Sequence, residues 1–139
     1  MNKNIIVDTS VWIDFYNGIS NKPVEVLKNI MLTDIIVIPP IIVQEILQGI
    51  KEKKLLLLVE DSLLGFQFIN YDTYEAAFEA AALYRSMRSK GVTVRSSNDC
   101  LIAWLCISNN FSIHHNDKDF DNIAKHTSLK IYKPTNDKN

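Results

Sequence analysis

The segment Asn4-Ile5-Ile6-Val7-Asp8-Thr9-Ser10-Val11-Trp12-Ile13-Asp14-Phe15-Tyr16 decides the architecture. The run from Asn4 to Val7 is short and β-branched, as buried strands are, and it stops at Asp8. Thr9 and Ser10 follow as capping-type residues; Val11, Trp12, Ile13, Phe15 and Tyr16 then carry a helix that Asn17-Gly18 ends. Strand, acid, capped turn and helix open an α/β unit and leave a carboxylate just past the carboxyl end of the strand.

The same alternation continues outward. Pro23 opens a second helix with Val24, Val26, Leu27, Ile30 and Met31 on or near its apolar face, and Ile35 to Ile38 is a second buried-type strand. Pro39-Pro40 starts a helix whose Ile42, Val43, Ile46, Leu47 and Ile50 follow the 3.6-residue period, with Glu45 beside the stripe and Gly49 permitting close packing. Lys53 to Leu64 reads as a further helix, and Phe66, Phe68 and Ile69 as a third strand. Asp72, with Glu75 at the third helical position, caps an Ala-rich helix running to about Lys90 and stopping at Gly91. Ser96 or Ser97 caps a helix with Asp99 in its first turn, and Phe111 to His114 gives a fourth strand that again ends at acids. A short helix over about Asp119 to Lys125 and a last strand from Leu129 to Tyr132 complete the pattern. Continuous apolar strands alternating with helices predict an α/β fold with a mostly parallel sheet of four to five strands, covered on both faces.

Composition agrees. The chain has 139 residues, 47% hydrophobic and 22% charged, with 4 Gly and 4 Pro and no repeated segment. At that size about two-thirds of the extended surface is buried on folding, enough for one core. One domain over residues 1–134 is expected, followed by a polar tail, 135–139. The longest apolar runs, Ile35 to Val43 broken by Pro39-Pro40 and Leu55 to Val59, fall far short of the ~20 residues of a membrane span, and no secretory signal is legible, so a cytoplasmic protein is expected. Cys100 and Cys106 lack metal-ligand or disulfide-framework spacing and read as buried thiols. Net charge is −1, yet Arg85, Arg88, Lys90 and Arg95 form a stretch containing no acid. Such a stretch is either a solvated face or an edge suited to phosphate oxygens.

Ligand groups in open α/β sheets gather beyond the carboxyl ends of the strands. Asp8 and Asp117 each follow a strand, Glu45 lies on the helix after the second strand, and Asp99 opens the helix before the fourth. Each acid alone has an ordinary explanation as a cap or a solvated charge. Brought together they repel, and they stay ionised only beside a cation or hydrogen-bond donors. All-oxygen ligation favours Mg²⁺ or Mn²⁺ over Zn²⁺, and in phosphodiester hydrolysis such ions activate the attacking water and stabilise the leaving oxygen. His114 and His115 do not suit a shared zinc site, because adjacent strand residues point to opposite faces.

The order Asp8-Thr9-Ser10-Val11-Trp12, Gln44-Glu45-Ile46, Asn98-Asp99-Cys100-Leu101-Ile102-Ala103 and Asn116-Asp117-Lys118-Asp119-Phe120 resembles the PIN-domain ribonucleases, most closely the VapC-type toxins of type II toxin–antitoxin pairs. The resemblance implies a three-layer α/β/α fold and a Mg²⁺- or Mn²⁺-dependent endoribonuclease, a hydrolase acting on ester bonds. It implies that Asp8, Glu45, Asp99 and Asp117 form the acidic quartet, that Thr9 or Ser10 supports it, and that Asp119 is an auxiliary acid. His115 stands where many relatives carry a small hydroxyl residue. A cognate VapB-type antitoxin laid beside the first two helices, a homodimer and a toxin–antitoxin hetero-oligomer are also implied. In the mechanism expected, Asp8, Asp99 and Asp117 hold metal, Glu45 ligates or orients a water, and Arg85, Arg88 and Arg95 position the RNA backbone. The alternatives are a PIN nuclease of RNA processing without antitoxin, and a non-catalytic regulatory or RNA-binding domain. A receiver-like domain fits poorly because Asp8-Thr9 lacks the acidic pair, and a haloacid-dehalogenase-type phosphatase because Asp8-Thr9-Ser10 is not Asp-x-Asp.

Overall fold

The structure, a computed structural model, describes residues 3–134; the tail expected over 135–139 lies outside the described residues. The chain order is β1 (Asn4–Val7), α1 (Thr9–Tyr16), α2 (Lys22–Thr33), β2 (Ile35–Ile38), α3 (Pro40–Gly49), α4 (Lys53–Leu63), β3 (Gln67–Phe68), α5 (Thr73–Ser89), α6 (Ser97–Asn109), β4 (Ser112–His114), α7 (Lys118–Ala124) and β5 (Lys130–Ile131). The strands form one sheet in the order β3-β2-β1-β4-β5, and every pair is parallel. The chain builds outward from β1 to β3 and then returns to β4 on the other side of β1. Right-handed crossovers in those opposite directions put helices on opposite faces, which gives the three layers.

Local chemistry sets the boundaries. The Asn21 side chain accepts from the Val24 amide, and Asp72 accepts from the amides of Tyr74 and Glu75, so α2 and α5 start on capped turns. Pro40 opens α3, where its missing N–H costs nothing. Asn110 closes α6 in the left-handed region at φ 58°, a conformation asparagine tolerates better than most residues.

Ile5, Ile6, Ile36, Val37, Ile38 and Ile113 line the buried sheet and share one core with Trp12, Leu27 and Ile30 of the first two helices and with Ile102, Leu105 and Phe120 of the later ones. Trp12 is fully buried and meets Phe15, Tyr16 and Phe66 in an aromatic cluster. A Cβ on Gly49 would lie 2.6 Å from Ile13 Cδ1, so this glycine sets how closely α3 approaches α1. Cys100 and Cys106 are buried and unbridged, and burial lifts their thiols to about 11 and about 12. No described helix is long and apolar enough to cross a membrane.

Candidate metal centre

The reversal of strand order falls between β1 and β4, and the crevice outside the carboxyl ends of those strands is where this architecture places ligands. Asp8 follows β1, and its amide donates to the His114 carbonyl at 2.9 Å, tying the two strand ends together. It holds the cap position of α1, but its side chain makes no capping bond; the Ser10 hydroxyl donates to it only at 3.4 Å. Glu45 projects from α3 beside the buried stripe of Ile42 and Ile46. Its Oε1 accepts from the Thr9 hydroxyl at 2.5 Å and its Oε2 from the Asn98 amide at 3.1 Å. Both oxygens are thereby oriented by residues distant in sequence.

Asp99, buried in the first turn of α6, differs from Glu45 in accepting no hydrogen bond on its carboxylate among the described residues. Asp117 caps α7, its Oδ1 accepting from the Asp119 amide at 3.0 Å. Its own amide donates to His115 Nδ1 at 2.9 Å, which leaves Nε2 to carry the proton and donate to Asp121 at 3.1 Å. The imidazole therefore pins the turn that aims Asp117. His114 points elsewhere and donates from Nε2 to the Pro23 carbonyl at 2.8 Å, as the alternation of strand side chains requires.

One oxygen from each of Asp99, Asp117 and Asp119 lies within 4.8 Å of the others. Burial, then repulsion from Asp8, Asp117, Asp119 and Glu45, lifts the Asp99 carboxyl to about 7. Burial also lifts Asp8, to about 6; the Thr9 amide tempers that rise, and repulsion from Asp117 and Glu45 adds to it. Carboxyls raised by burial and by one another stay ionised only beside a cation or hydrogen-bond donors. The donor set is all oxygen, with the buried Cys100 thiol protonated, and it suits a hard divalent cation.

Asp119, expected as an auxiliary acid, is 4% exposed and lies inside the cluster of three acids. Arg95, expected to position RNA, here lies on the acids: Nη2 donates to Asp117 Oδ1 at 2.8 Å, and Nε and the backbone amide donate to Asp119 Oδ2 at 3.2 Å each. A guanidinium beside two carboxylates finds a stronger partner there than in solvent. Arg85 and Arg88 remain exposed on α5, Arg88 lying 5.3 Å over the Tyr84 ring. Asn98 was not singled out by sequence reasoning; its position immediately before Asp99, in the first turn of α6, was the available signal.

The family profile described as "PIN domain" matches residues 5–126. The chain is 34% identical over 129 residues to VapC ribonuclease Mb1587 of Mycobacterium bovis and to ribonuclease VapC11 of Mycobacterium tuberculosis, spanning 91% of this chain and 96% of each relative. Among solved structures it is similar to a chain in VapBC2 of Rickettsia felis bound to a promoter DNA fragment, with TM-score 0.73 and 20% identity over 93% of this chain and 97% of that one. A chain in DNA-bound VapBC of Salmonella typhimurium gives 0.70 and 22%, over 95% and 98%. At those identities the structural likenesses speak to the fold, which they share over most of their length. With a profile covering most of the residues and relatives matched over nearly their full length, the chain belongs to the PIN-domain family and, within it, to the VapC ribonucleases.

Proposed function

We propose that this chain is the toxin of a VapBC-type toxin–antitoxin pair, and that Asp8, Asp99 and Asp117 hold Mg²⁺ or Mn²⁺ for hydrolysis of RNA phosphodiester bonds. The observation that carries the reading is Asp99: a buried carboxylate with no hydrogen-bond donor among the described residues, facing Asp8, Asp117 and Asp119. Without a cation that arrangement is destabilising; with one it is a ligand set. A bound divalent ion supplies an activated water and charge stabilisation at the reacting phosphate. Glu45, held by Thr9 and Asn98, orients that water. Thr9 and Ser10 support the two acids they touch, and Asp119 completes the charge around Asp117.

Arg85 and Arg88 lie on the exposed C-terminal half of α5, and the cleft lined by Ala77, Ala81, Tyr84, Arg85 and Ser97 leads from that helix toward the start of α6, two residues from Asp99. This is the path we assign to the RNA backbone. The N-terminal half of α5 exposes Tyr74 and Phe78, a surface offered to a second copy of the chain in a homodimer. The antitoxin segment is assigned to the cleft of about 340 Å³ between the end of α2 and the α4–β3 connection, lined by Met31, Asp34, Ile36, Gly65 and Phe66. Leu32 and Leu64, exposed next to those residues in sequence, supply apolar contact. The domain is assigned to residues 1–134.

Cleavage of total cellular RNA by purified, antitoxin-free protein tests the reading. Discrete cuts that need Mg²⁺ or Mn²⁺ and vanish in Asp8→Asn, with RNA binding retained, support it. Well-folded protein that makes no cuts points instead to a regulatory or RNA-binding domain.

A further inference from the structure

The cation that the structure pairs with the acid cluster belongs to the chain itself. Arg95 stands in the short loop before α6, between buried Val94 and the cap residue Ser96, with a side chain 65% exposed. It is held by charge rather than by packing, donating to one oxygen of Asp117 and one of Asp119. Both carboxylates belong to the trio whose oxygens converge within 4.8 Å. A guanidinium on two of those three acids and a divalent cation held by Asp8, Asp99 and Asp117 draw on the same negative charge. Each weakens the other's hold, because like charges a few ångströms apart repel strongly in a partly desolvated site.

We propose that Arg95 is a positioning residue with two alternative partners: Asp117 and Asp119 in the ion-free protein, and the RNA backbone once a divalent cation has neutralised those acids. The proposal rests on the metal reading above and goes beyond it. The backbone amide of Arg95 also donates to Asp119, so the loop stays anchored while the guanidinium is free to leave. Arginine suits the second partner as well, since its fork matches phosphate oxygens in the way it matches carboxylates. Binding linkage then runs both ways: the cation raises affinity for RNA by releasing Arg95, and RNA raises affinity for the cation by the same factor.

The test is Mn²⁺ binding by calorimetry on RNA-free protein, comparing wild type, Arg95→Gln, Arg95→Lys and Asp99→Asn, with circular dichroism melts as the folding control. Arg95→Gln is expected to bind Mn²⁺ tighter than wild type by on the order of tenfold, within the usual range of site-to-site coupling. Arg95→Lys, which keeps the charge, is expected to stay within about threefold of wild type. Mn²⁺ is then expected to raise the affinity of wild type for a labelled RNA, read by stopped-flow before cleavage, more than that of Arg95→Gln. Equal or weaker Mn²⁺ binding by folded Arg95→Gln overturns the proposal and makes Arg95 a strut for the acids. Failure of the metal reading is seen separately: wild type would bind no Mn²⁺, or would bind it no better than Asp99→Asn, and the proposal would fall with it.

Discussion

Replacing Asp99 by Asn is expected to inactivate the protein and, in the absence of metal, to stabilise it. Burial and four neighbouring acids lift the Asp99 carboxyl from 3.8 to about 7. At about 1.4 kcal/mol per unit, keeping it charged at pH 8 costs at most roughly 4 kcal/mol of folding stability. Water and salt ions at the mouth of the site screen part of that, and about 2 kcal/mol is the expected gain. For a domain of this size that is roughly 6–10 °C in melting temperature. The sign with pH follows from the raised value. Below about pH 4 folded and unfolded chains both keep the proton, and Asp99 costs nothing. Between about 4 and 7 the unfolded chain releases it while the folded chain retains it, so wild-type stability falls as pH rises; above about 7 the penalty is constant. Melting curves of metal-free wild type and Asp99→Asn at pH 4.5 and 8 measure this directly. A variant that melts at or below wild type at pH 8, or a difference independent of pH, would refute the argument that uncompensated charge makes this site a cation site.

Other consequences are open to measurement. Mn²⁺ affinity should weaken as pH falls below about 7, approaching tenfold per unit once Asp99 is protonated and steepening below about 6 as Asp8 follows; calorimetry across pH 5.5–8 that finds a flat profile removes both carboxyls from the ion's ligands. Thr9→Val removes the hydroxyl that orients Glu45 and should lower cleavage by about 10–100-fold with under about 1 kcal/mol of stability change, checked by kinetics beside a denaturant melt. Gly49→Ala places a methyl carbon against Ile13 and should cost about 1 kcal/mol without touching metal affinity; no change in the denaturation midpoint would mean that α1 and α3 have room to spare.

The layers and the sheet were legible because β1 and β2 announce themselves by β-branched runs and the later strands by short apolar stretches between helices. Asn4–Val7 and Ile35–Ile38 match expectation to the residue, whereas the strand expected from Phe66 to Ile69 pairs over Gln67–Phe68 alone. Among the described residues the sheet edge carries no second partner there to extend the ladder. Asp8 and Glu45 could be placed from local pattern, the end of a strand and the flank of a helical stripe. The grip of Arg95 on Asp117 and Asp119 could not, since it spans 22 and 24 residues, and neither could the Asn98 bond to Glu45 across 53. Helical period says which side of a helix faces the core, but not which charged groups meet at the end of a sheet. The basic stretch shows the same limit: Arg85, Arg88 and Arg95 look equivalent in sequence, yet the last stands before a different helix and meets acids rather than solvent.

Anomalous diffraction from crystals of the wild-type protein soaked in Mn²⁺ tests most directly whether these acids hold a divalent ion. A peak bounded by carboxylate oxygens of Asp8, Asp99 and Asp117 at about 2.0–2.3 Å is expected, absent from Asp99→Asn crystals treated alike. Wild-type crystals with no peak there, or with Mn²⁺ bound only elsewhere, would contradict it.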